Sequence, residues 1–236
     1  MSTRIVFACS GSADNLAAIP RLASAFDAEI VALTLDVGQA VELESVRQAA
    51  LAAGAVRAHV LDARDEFARH CFAASREDQA PSARPLLARK LVEVARIEGA
   101  TTIAHAGDEH DQAGIEAVAH ALDRSIRVVA VRAGQADDSG SVHTTLWERA
   151  PGGAELNEPA RLEIAFEGGL PVSVNGVPMT LTELIESVAT IAAVPAAVIF
   201  QAAHEALGAG ASRAPDATVC LELFKGQHRV LSAHHS

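Results

Sequence analysis

The sequence predicts an α/β protein with a Rossmann-like, parallel five-stranded domain followed by a second, smaller α+β domain. Two observations support this prediction. In the first half of the chain, short apolar runs alternate with segments of helical periodicity, as expected for parallel strands joined by crossover helices. In the second half, pairs of apolar runs flank turns that contain glycine, which is typical of antiparallel hairpins.

The first domain is placed at residues 1–135. Its first strand is expected at residues 3–9 (TRIVFAC), a continuous apolar run of the kind that is buried on both faces of a parallel sheet. The other four strands are expected at residues 29–35, 57–61, 101–105 and 126–131. Helices with one apolar face are expected at residues 13–26, 41–53, 84–98 and 112–122.

A polar, aperiodic stretch at residues 133–141 marks the expected domain boundary, and the second domain is placed at residues 142–236. One hairpin is expected to turn at Gly168 and Gly169, and another near Gly226. Between the hairpins, the pattern predicts helices at residues 181–193 and 195–207. This order of elements is α+β.

The composition indicates a soluble, cytoplasmic protein that acts on small molecules. With 30 acidic and 19 basic residues the net charge is −11, so neither nucleic acid nor a membrane surface is an expected partner. No signal-peptide pattern and no apolar run of about 18 residues occurs. The three cysteines form no C-x-x-C pair, which favours a reducing compartment and no thiolate metal site. The sequence does not decide whether the protein forms a homo-oligomer.

The residues that follow the first predicted strand are small. Ser10, Gly11, Ser12 and Ala13 stand between a buried strand and a helix, where backbone N–H groups and the helix dipole attract phosphate. Small side chains would let the anion approach the backbone. The same composition also occurs in turns for packing reasons, so this segment alone leaves both a nucleotide site and a structural turn open.

Blocks of sequence along almost the whole chain resemble argininosuccinate synthases, which are N-type ATP pyrophosphatases. Residues 8–16 (ACSGSADNL) correspond to the family pattern A-Y-S-G-G-L-D-T-S. Other blocks follow in the family's order, among them ALTLDVGQ, ARPLLARKLVEVARIEGA, NEP, VNGVPMTLTELIE, PAAVIFQAAHEAL and LELFKG. The chain is therefore identified as a shortened and divergent member, with a nucleotide-binding first domain and a reduced synthetase-like second domain.

The resemblance implies an ATP-dependent ligase that adenylates an oxygen atom of one substrate, releases pyrophosphate and lets an amine displace AMP. Its cofactors would be ATP and Mg²⁺. The positions implied for ATP are Ala8, Ser10, Gly11, Ser12, Asp14, Ala32, Arg84 and Gly107. The positions implied for a small-molecule substrate are His110, Asp111 and Gln112, and those implied for catalysis are Asp14 and Asp111.

Several departures from the family pattern fall in its ATP loop and on its citrulline contacts. Ser12 replaces the second glycine of the loop, and Asn15 and Leu16 replace a Thr-Ser pair. The arginine that meets the citrulline carboxylate in the family aligns with Gly114, and the chain has no tyrosine to contact citrulline. The sequence therefore favours a ligase with an altered substrate. The alternative is a non-catalytic protein that binds a nucleotide or a partner protein.

An acidic segment follows the fourth predicted strand. Asp108, Glu109, His110 and Asp111, with His105 before them, supply three carboxylates and two imidazoles. Such groups are able to hold a divalent metal, but a solvated acidic loop is the simpler interpretation of the pattern. No dedicated metal site is assigned.

Overall fold

The computed structural model describes residues 3–39, 41–76, 82–107, 109–131, 158–208 and 216–235. In chain order the elements are β1 (Thr3–Ala8), α1 (Ala13–Phe26), β2 (Ala28–Asp36), α2 (Leu43–Ala52), β3 (Arg57–Asp62), α3 (Arg64–Arg76), α4 (Arg84–Glu98), β4 (Thr102–Ala106), α5 (Glu109–Leu122), β5 (Arg127–Val131), β6 (Ala160–Glu167), β7 (Leu170–Val174), β8 (Val177–Pro178), α6 (Leu181–Ala192), α7 (Ala196–Leu207), β9 (Ala217–Phe224) and β10 (Gln227–His235).

The chain divides into two compact units. The first consists of Met1–Asp36, Val41–Ala63 and Ser82–His143. The second consists of Val37–Ala40, Arg64–Pro81 and Thr144–Ser236. The predicted boundary at residues 135–142 lies outside the described residues and stays a prediction, but α3 groups with the second unit.

The first unit contains a five-stranded sheet in the order β3-β2-β1-β4-β5, and every neighbouring pair is parallel. The predicted Rossmann-like parallel sheet is thus confirmed. β1 lies at the centre, where Val6 is paired with Val31 of β2 on one side and with Ile103 of β4 on the other. The strand order therefore reverses at β1.

The centre of this sheet is covered on both faces. Ile5, Val6 and Phe7 of β1 are at most 1% exposed, as the unbroken apolar run predicts. Ile19 and Leu22 of α1 pack into the same hydrophobic cluster as Ile5 and Phe7. Burying side chains of this size contributes roughly 1.5–3 kcal/mol each, so β1 is firmly held and the loop that follows it has a fixed origin.

A buried carboxylate joins three elements at the edge of the sheet where the parallel strands begin. Glu98, at the end of α4, accepts hydrogen bonds from Arg57 Nη1 at 2.9 Å and His59 Nε2 at 2.9 Å, and Arg4 Nη1 lies 3.3 Å from the same group. The Glu98 side chain is 1% exposed. Desolvation acts to raise the pKa of Glu98, but the hydrogen bonds from His59 and Arg57 outweigh it and leave the pKa below its ordinary value.

The second unit contains a separate antiparallel sheet in the order β10-β9-β6-β7-β8. Leu162, Ile164 and Phe166 of β6 are buried, whereas the alternating residues Arg161, Glu163 and Glu167 are exposed. This alternation indicates one packed face and one open face. Helix α6 packs against β7, and α7 packs against β9 and β10. The predicted hairpins and the two helices between them are confirmed.

Helix α3 is a feature that the sequence analysis missed. Phe72 of α3 is fully buried and meets Phe200 of α7 edge to face, with ring centroids 4.8 Å apart. Asp65 Oδ1 accepts hydrogen bonds from the hydroxyl of Thr182 at 2.6 Å and from its backbone N–H at 3.2 Å. These contacts fix α3 against α6 and α7 and explain why it belongs to the second unit.

In the part of the chain that the structure describes, no single helix has both the length and the apolar character that a membrane span requires. By length and composition only, α6 and α7 taken together meet this requirement, with a bend of 97° at the break between them.

Replacing Glu98 with glutamine should destabilise the first unit in a pH-dependent way. Because the pKa of Glu98 is lower in the folded than in the unfolded chain, its carboxylate adds stability above the unfolded value near 4.3, and that stability is lost as the pH falls through the lower folded value. We expect Glu98→Gln to lower the free energy of unfolding by about 2 kcal/mol at pH 7, and by progressively less below about pH 4. Urea unfolding at several pH values measures this.

The matched control is Glu44→Gln. Glu44 pairs with Arg47 one turn along α2, with both groups largely in solvent, so its loss should hardly move the unfolding midpoint at any pH. An equal effect of both substitutions, or no pH dependence for Glu98→Gln, would contradict a stabilising role of the buried carboxylate.

Candidate nucleotide-binding site

The loop at residues 9–12 joins β1 to α1 at the point where the strand order reverses. In open parallel sheets, ligands bind outside the carboxyl ends of the strands beside such a point. The N–H groups of the first turn of α1 have no partners within the helix and lie at this same edge. The loop therefore has the position and the donors that a phosphate site needs.

Gly11 adopts a backbone conformation that is unfavourable for residues with a side chain. Its φ is +83°, in the left-handed region, where L residues other than glycine are strained. A Cβ built on Gly11 would also lie 2.8 Å from Cγ2 and 2.9 Å from Cγ1 of Val46, at the start of α2. Conformation and space thus independently require glycine at this position.

Ser12 caps α1. It has extended backbone angles, and its hydroxyl accepts the backbone N–H of Asn15 at 3.3 Å. Serine is among the favoured residues at this position because its oxygen satisfies a donor that the helix leaves without a partner. The serine that replaces a family glycine therefore has a clear local role, which is to end the loop and begin the helix.

The start of the loop is held by two bonds to β2. Cys9 donates its backbone N–H to the carbonyl of Leu33 at 2.9 Å, and the buried hydroxyl of Thr34 donates to the carbonyl of Cys9 at 2.8 Å. The peptide that carries the N–H of Ser10 is therefore fixed. The sequence analysis did not identify Thr34, although a threonine inside the apolar run ALTL was a signal that could have found it.

The thiol of Cys9 is a packing group. Cys9 is 4% exposed, and burial raises the pKa of its thiol, an effect that the hydrogen bond from the Gly11 N–H only partly offsets. At neutral pH the thiol is therefore protonated and is a poor nucleophile.

The remaining residues that the resemblance connects with ATP lie at different depths. Ala8 ends β1 and is half-buried, and Gly107 follows β4, the neighbour of β1, at the same edge of the sheet. Ala32 is 1% exposed and lies in the hydrophobic cluster with Cys9.

Arg84 is exposed at the first residue of α4. The other end of that helix lies at the edge where the strands begin, so Arg84 lies toward the edge that carries the loop.

The segment after β4 is helical earlier than predicted. Helix α5 begins at Glu109 instead of residue 112, so Asp111 lies in its first turn together with Gln112 and not in the preceding loop. Acidic residues favour a helix N-terminus, which explains the earlier start.

Asp108 and the side chains of residues 109–111 lie outside the described part, so the assignments to His110 and Asp111 stay predictions. Among the described side chains, no group of three His, Cys, Asp or Glu residues could hold a metal ion. His105 is buried at 1% exposure inside β4.

Gly11→Ala should disturb both the fold and the loop. The left-handed φ and the contact with Val46 together predict a loss of roughly 1–3 kcal/mol in the free energy of unfolding. Chemical unfolding followed by circular dichroism measures this.

Gly114→Ala is the matched control for that substitution. Gly114 lies inside α5, and a Cβ there would meet nothing within 4 Å. This variant should be neutral or up to about 1 kcal/mol more stable than the native chain, because alanine favours a helix over glycine. Equal stability of Gly11→Ala and the native chain would contradict the requirement for glycine in the loop.

The first unit has the architecture of a Rossmann-like α/β domain. The strand order of its parallel sheet reverses at β1, and a loop with an obligatory glycine begins a helix at that point. These features define a class of fold and not yet a particular protein.

The comparisons with known proteins identify the family. The family model described as "Arginosuccinate synthase N-terminal HUP domain" matches residues 4–139. The argininosuccinate synthase of Thermoanaerobacter sp. (strain X514) is 31% identical in an alignment that covers 80% of this chain and 60% of the relative. The chain therefore belongs to the argininosuccinate synthase family, as its sequence blocks predict.

Other relatives give the same result. The argininosuccinate synthase of Streptococcus suis (strain 05ZYH33) is 31% identical, and that of Symbiobacterium thermophilum (strain DSM 24528 / JCM 14929 / IAM 14863 / T) is 32% identical. Each alignment covers 80% of this chain and 61% of the relative. The chain thus spans about three fifths of the length of the curated relatives that it matches.

Proposed function

We propose that the chain is an ATP-dependent ligase of the AMP-forming type. It would activate an oxygen atom of an acid or amide by adenylation, release pyrophosphate, and couple the activated group to an amine. The observation that carries this proposal is the β1–α1 loop, where conformation and space both require glycine at residue 11 and where the sequence resembles the ATP loop of the family. The family membership supplies the type of reaction.

The loop and the first turn of α1 would hold the phosphates of ATP. The N–H groups of Ala13 and Asp14 belong to the helix terminus, which carries about half a positive elementary charge. The carboxylate of Asp14, in the same turn, would bind Mg²⁺, which prefers oxygen ligands and would neutralise charge on the phosphates. Ser10, Gly11 and Ser12 would complete the cradle. Such a site acts by positioning and charge stabilisation, because phosphoryl and adenylyl chemistry needs little else from the protein.

We assign the second substrate to the start of α5. Gln112 and Asp111 lie in the first turn of that helix, next to the edge of the sheet that carries the loop. Asp111 would meet the amine of the substrate, and His110 would contact the same substrate. Arg84 would contribute charge toward the nucleotide from the start of α4.

The substrate would differ from citrulline. Gly114 is exposed in α5 and has no side chain, whereas the family places there an arginine that meets the citrulline carboxylate. Loss of a bidentate arginine clamp removes one of the strongest contacts to a carboxylate. A smaller acid or amide therefore fits the proposal better than citrulline.

A thermal shift with MgATP tests the nucleotide site. At about 100 times Kd, a ligand adds about 2.7 kcal/mol to the stability of the protein that binds it, which raises Tm by roughly 5–10 °C. We expect this rise with MgATP and a much smaller one with MgGTP. No rise at millimolar MgATP would contradict the proposal.

Pyrophosphate release tests the ligase reaction itself. With ATP, Mg²⁺ and a panel of acids, amides and amines, one combination should release pyrophosphate and form AMP in equal amounts. Gly11→Ala should abolish the release, whereas Gly114→Ala should retain it.

A non-catalytic nucleotide-binding protein is the second candidate, and one contact favours it: the Asn15 side chain bonds to the N–H of Ser10 inside the loop. A thermal shift with MgATP but no pyrophosphate across the panel would favour this second candidate over the ligase.

A further inference from the structure

The phosphate loop is bonded to one of its own side chains. Asn15, in the first turn of α1, places Oδ1 2.8 Å from the backbone nitrogen of Ser10 and 3.3 Å from the Ser10 hydroxyl oxygen. The loop residue Ser10 is exposed, and Asn15 is half-buried. Two donors that an incoming anion could use thus converge on a single amide oxygen.

The other short contacts of the loop are also hydrogen bonds between groups of the chain itself. The N–H of Ser12 donates to the Ser10 hydroxyl at 3.4 Å, and the N–H of Asn15 donates to the Ser12 hydroxyl at 3.3 Å. Most of the donors between β1 and α1 are therefore satisfied from within the chain, and Asn15 supplies the acceptor closest to the loop backbone.

We propose that Asn15 is an internal competitor for the phosphate site, an inference that rests on the proposed function. Its Oδ1 occupies the position of a phosphate oxygen at the N–H of Ser10, so an anion has to displace it. A phosphate oxygen forms a charge-assisted hydrogen bond that is about twice as strong as the bond to a neutral amide, which makes displacement favourable at sufficient ligand concentration.

The Asn15 side chain can move away from the Ser10 N–H at a low cost in free energy. Asn15 is only half-buried, and its backbone is held by the Ser12 cap independently of its side chain. A change of its rotamer therefore disturbs neither the helix nor the core. Binding to a state that is only partly populated weakens the apparent affinity by that fraction, so Asn15 lowers the affinity for phosphate and raises the ligand concentration at which the site fills.

The test is the affinity for inorganic pyrophosphate with Mg²⁺, and for MgATP, measured by isothermal titration calorimetry on the native chain and two variants. Asn15→Ala should bind pyrophosphate roughly three- to tenfold more tightly, since one net hydrogen bond no longer has to be broken. Asn15→Asp should bind it more weakly than the native chain, because a carboxylate holds the Ser10 N–H more strongly and repels the anion.

The matched control is Asn175→Gly in the second unit. There too an asparagine Oδ1 accepts a backbone N–H, that of Glu163, at 2.9 Å, and glycine suits the φ of +50° at residue 175. This variant should bind pyrophosphate as the native chain does. Thermal unfolding of each variant without ligand measures whether the variant keeps its fold.

The outcomes separate the inference from the proposed function. If the native chain binds pyrophosphate and Asn15→Ala binds it equally or more weakly, Asn15 organises the loop and the inference is overturned, while the nucleotide site stands. If neither the native chain nor Asn15→Ala binds pyrophosphate or MgATP, both the inference and the proposed function are wrong.

Discussion

The parallel pairing of β1 with β2 on one side and β4 on the other determines the geometry of the first unit. Because β1 is bonded along both edges and covered on both faces, its last residue has little freedom. The carbonyl of Cys9 is then held by Thr34, and the glycine that follows is packed against Val46. Because the start of the loop is fixed in this way, its backbone N–H groups are held in one arrangement. Such preorganisation of donors favours anion binding.

The sequence predicted most of the fold, because buried parallel strands and amphipathic helices leave clear periodic patterns. It missed α3, although Phe67, Cys71 and Phe72 have the spacing of one helical face and all three are buried. The run of charged residues around them hid that signal. The start of α5 was placed three residues late, since a helix terminus depends on capping contacts that periodicity does not reveal.

The small residues after β1 and the family pattern predict a site at this loop, but they do not predict the internal contacts of the loop. The roles of Thr34, Val46 and Asn15 depend on rotamers and on distances across the sheet. Asn15 stood out only as a departure from a Thr-Ser pair. In the structure, the side-chain oxygen of Asn15 accepts the N–H of Ser10 inside the loop. The departure from the family pattern therefore does more than remove a hydroxyl, because it adds the contact that we propose to compete with phosphate.

The cluster of Glu98 with Arg57, His59 and Arg4 joins α4 to the edge of the sheet where the strands begin. The β1–α1 loop, where we propose that the nucleotide binds, lies at the opposite edge. The stabilising cluster and the proposed ligand site thus lie at different ends of the same strands. A protein arranged in this way can accumulate changes in its recognition residues without losing its framework, and this makes the first unit a suitable scaffold for selecting new ligand specificities in the laboratory.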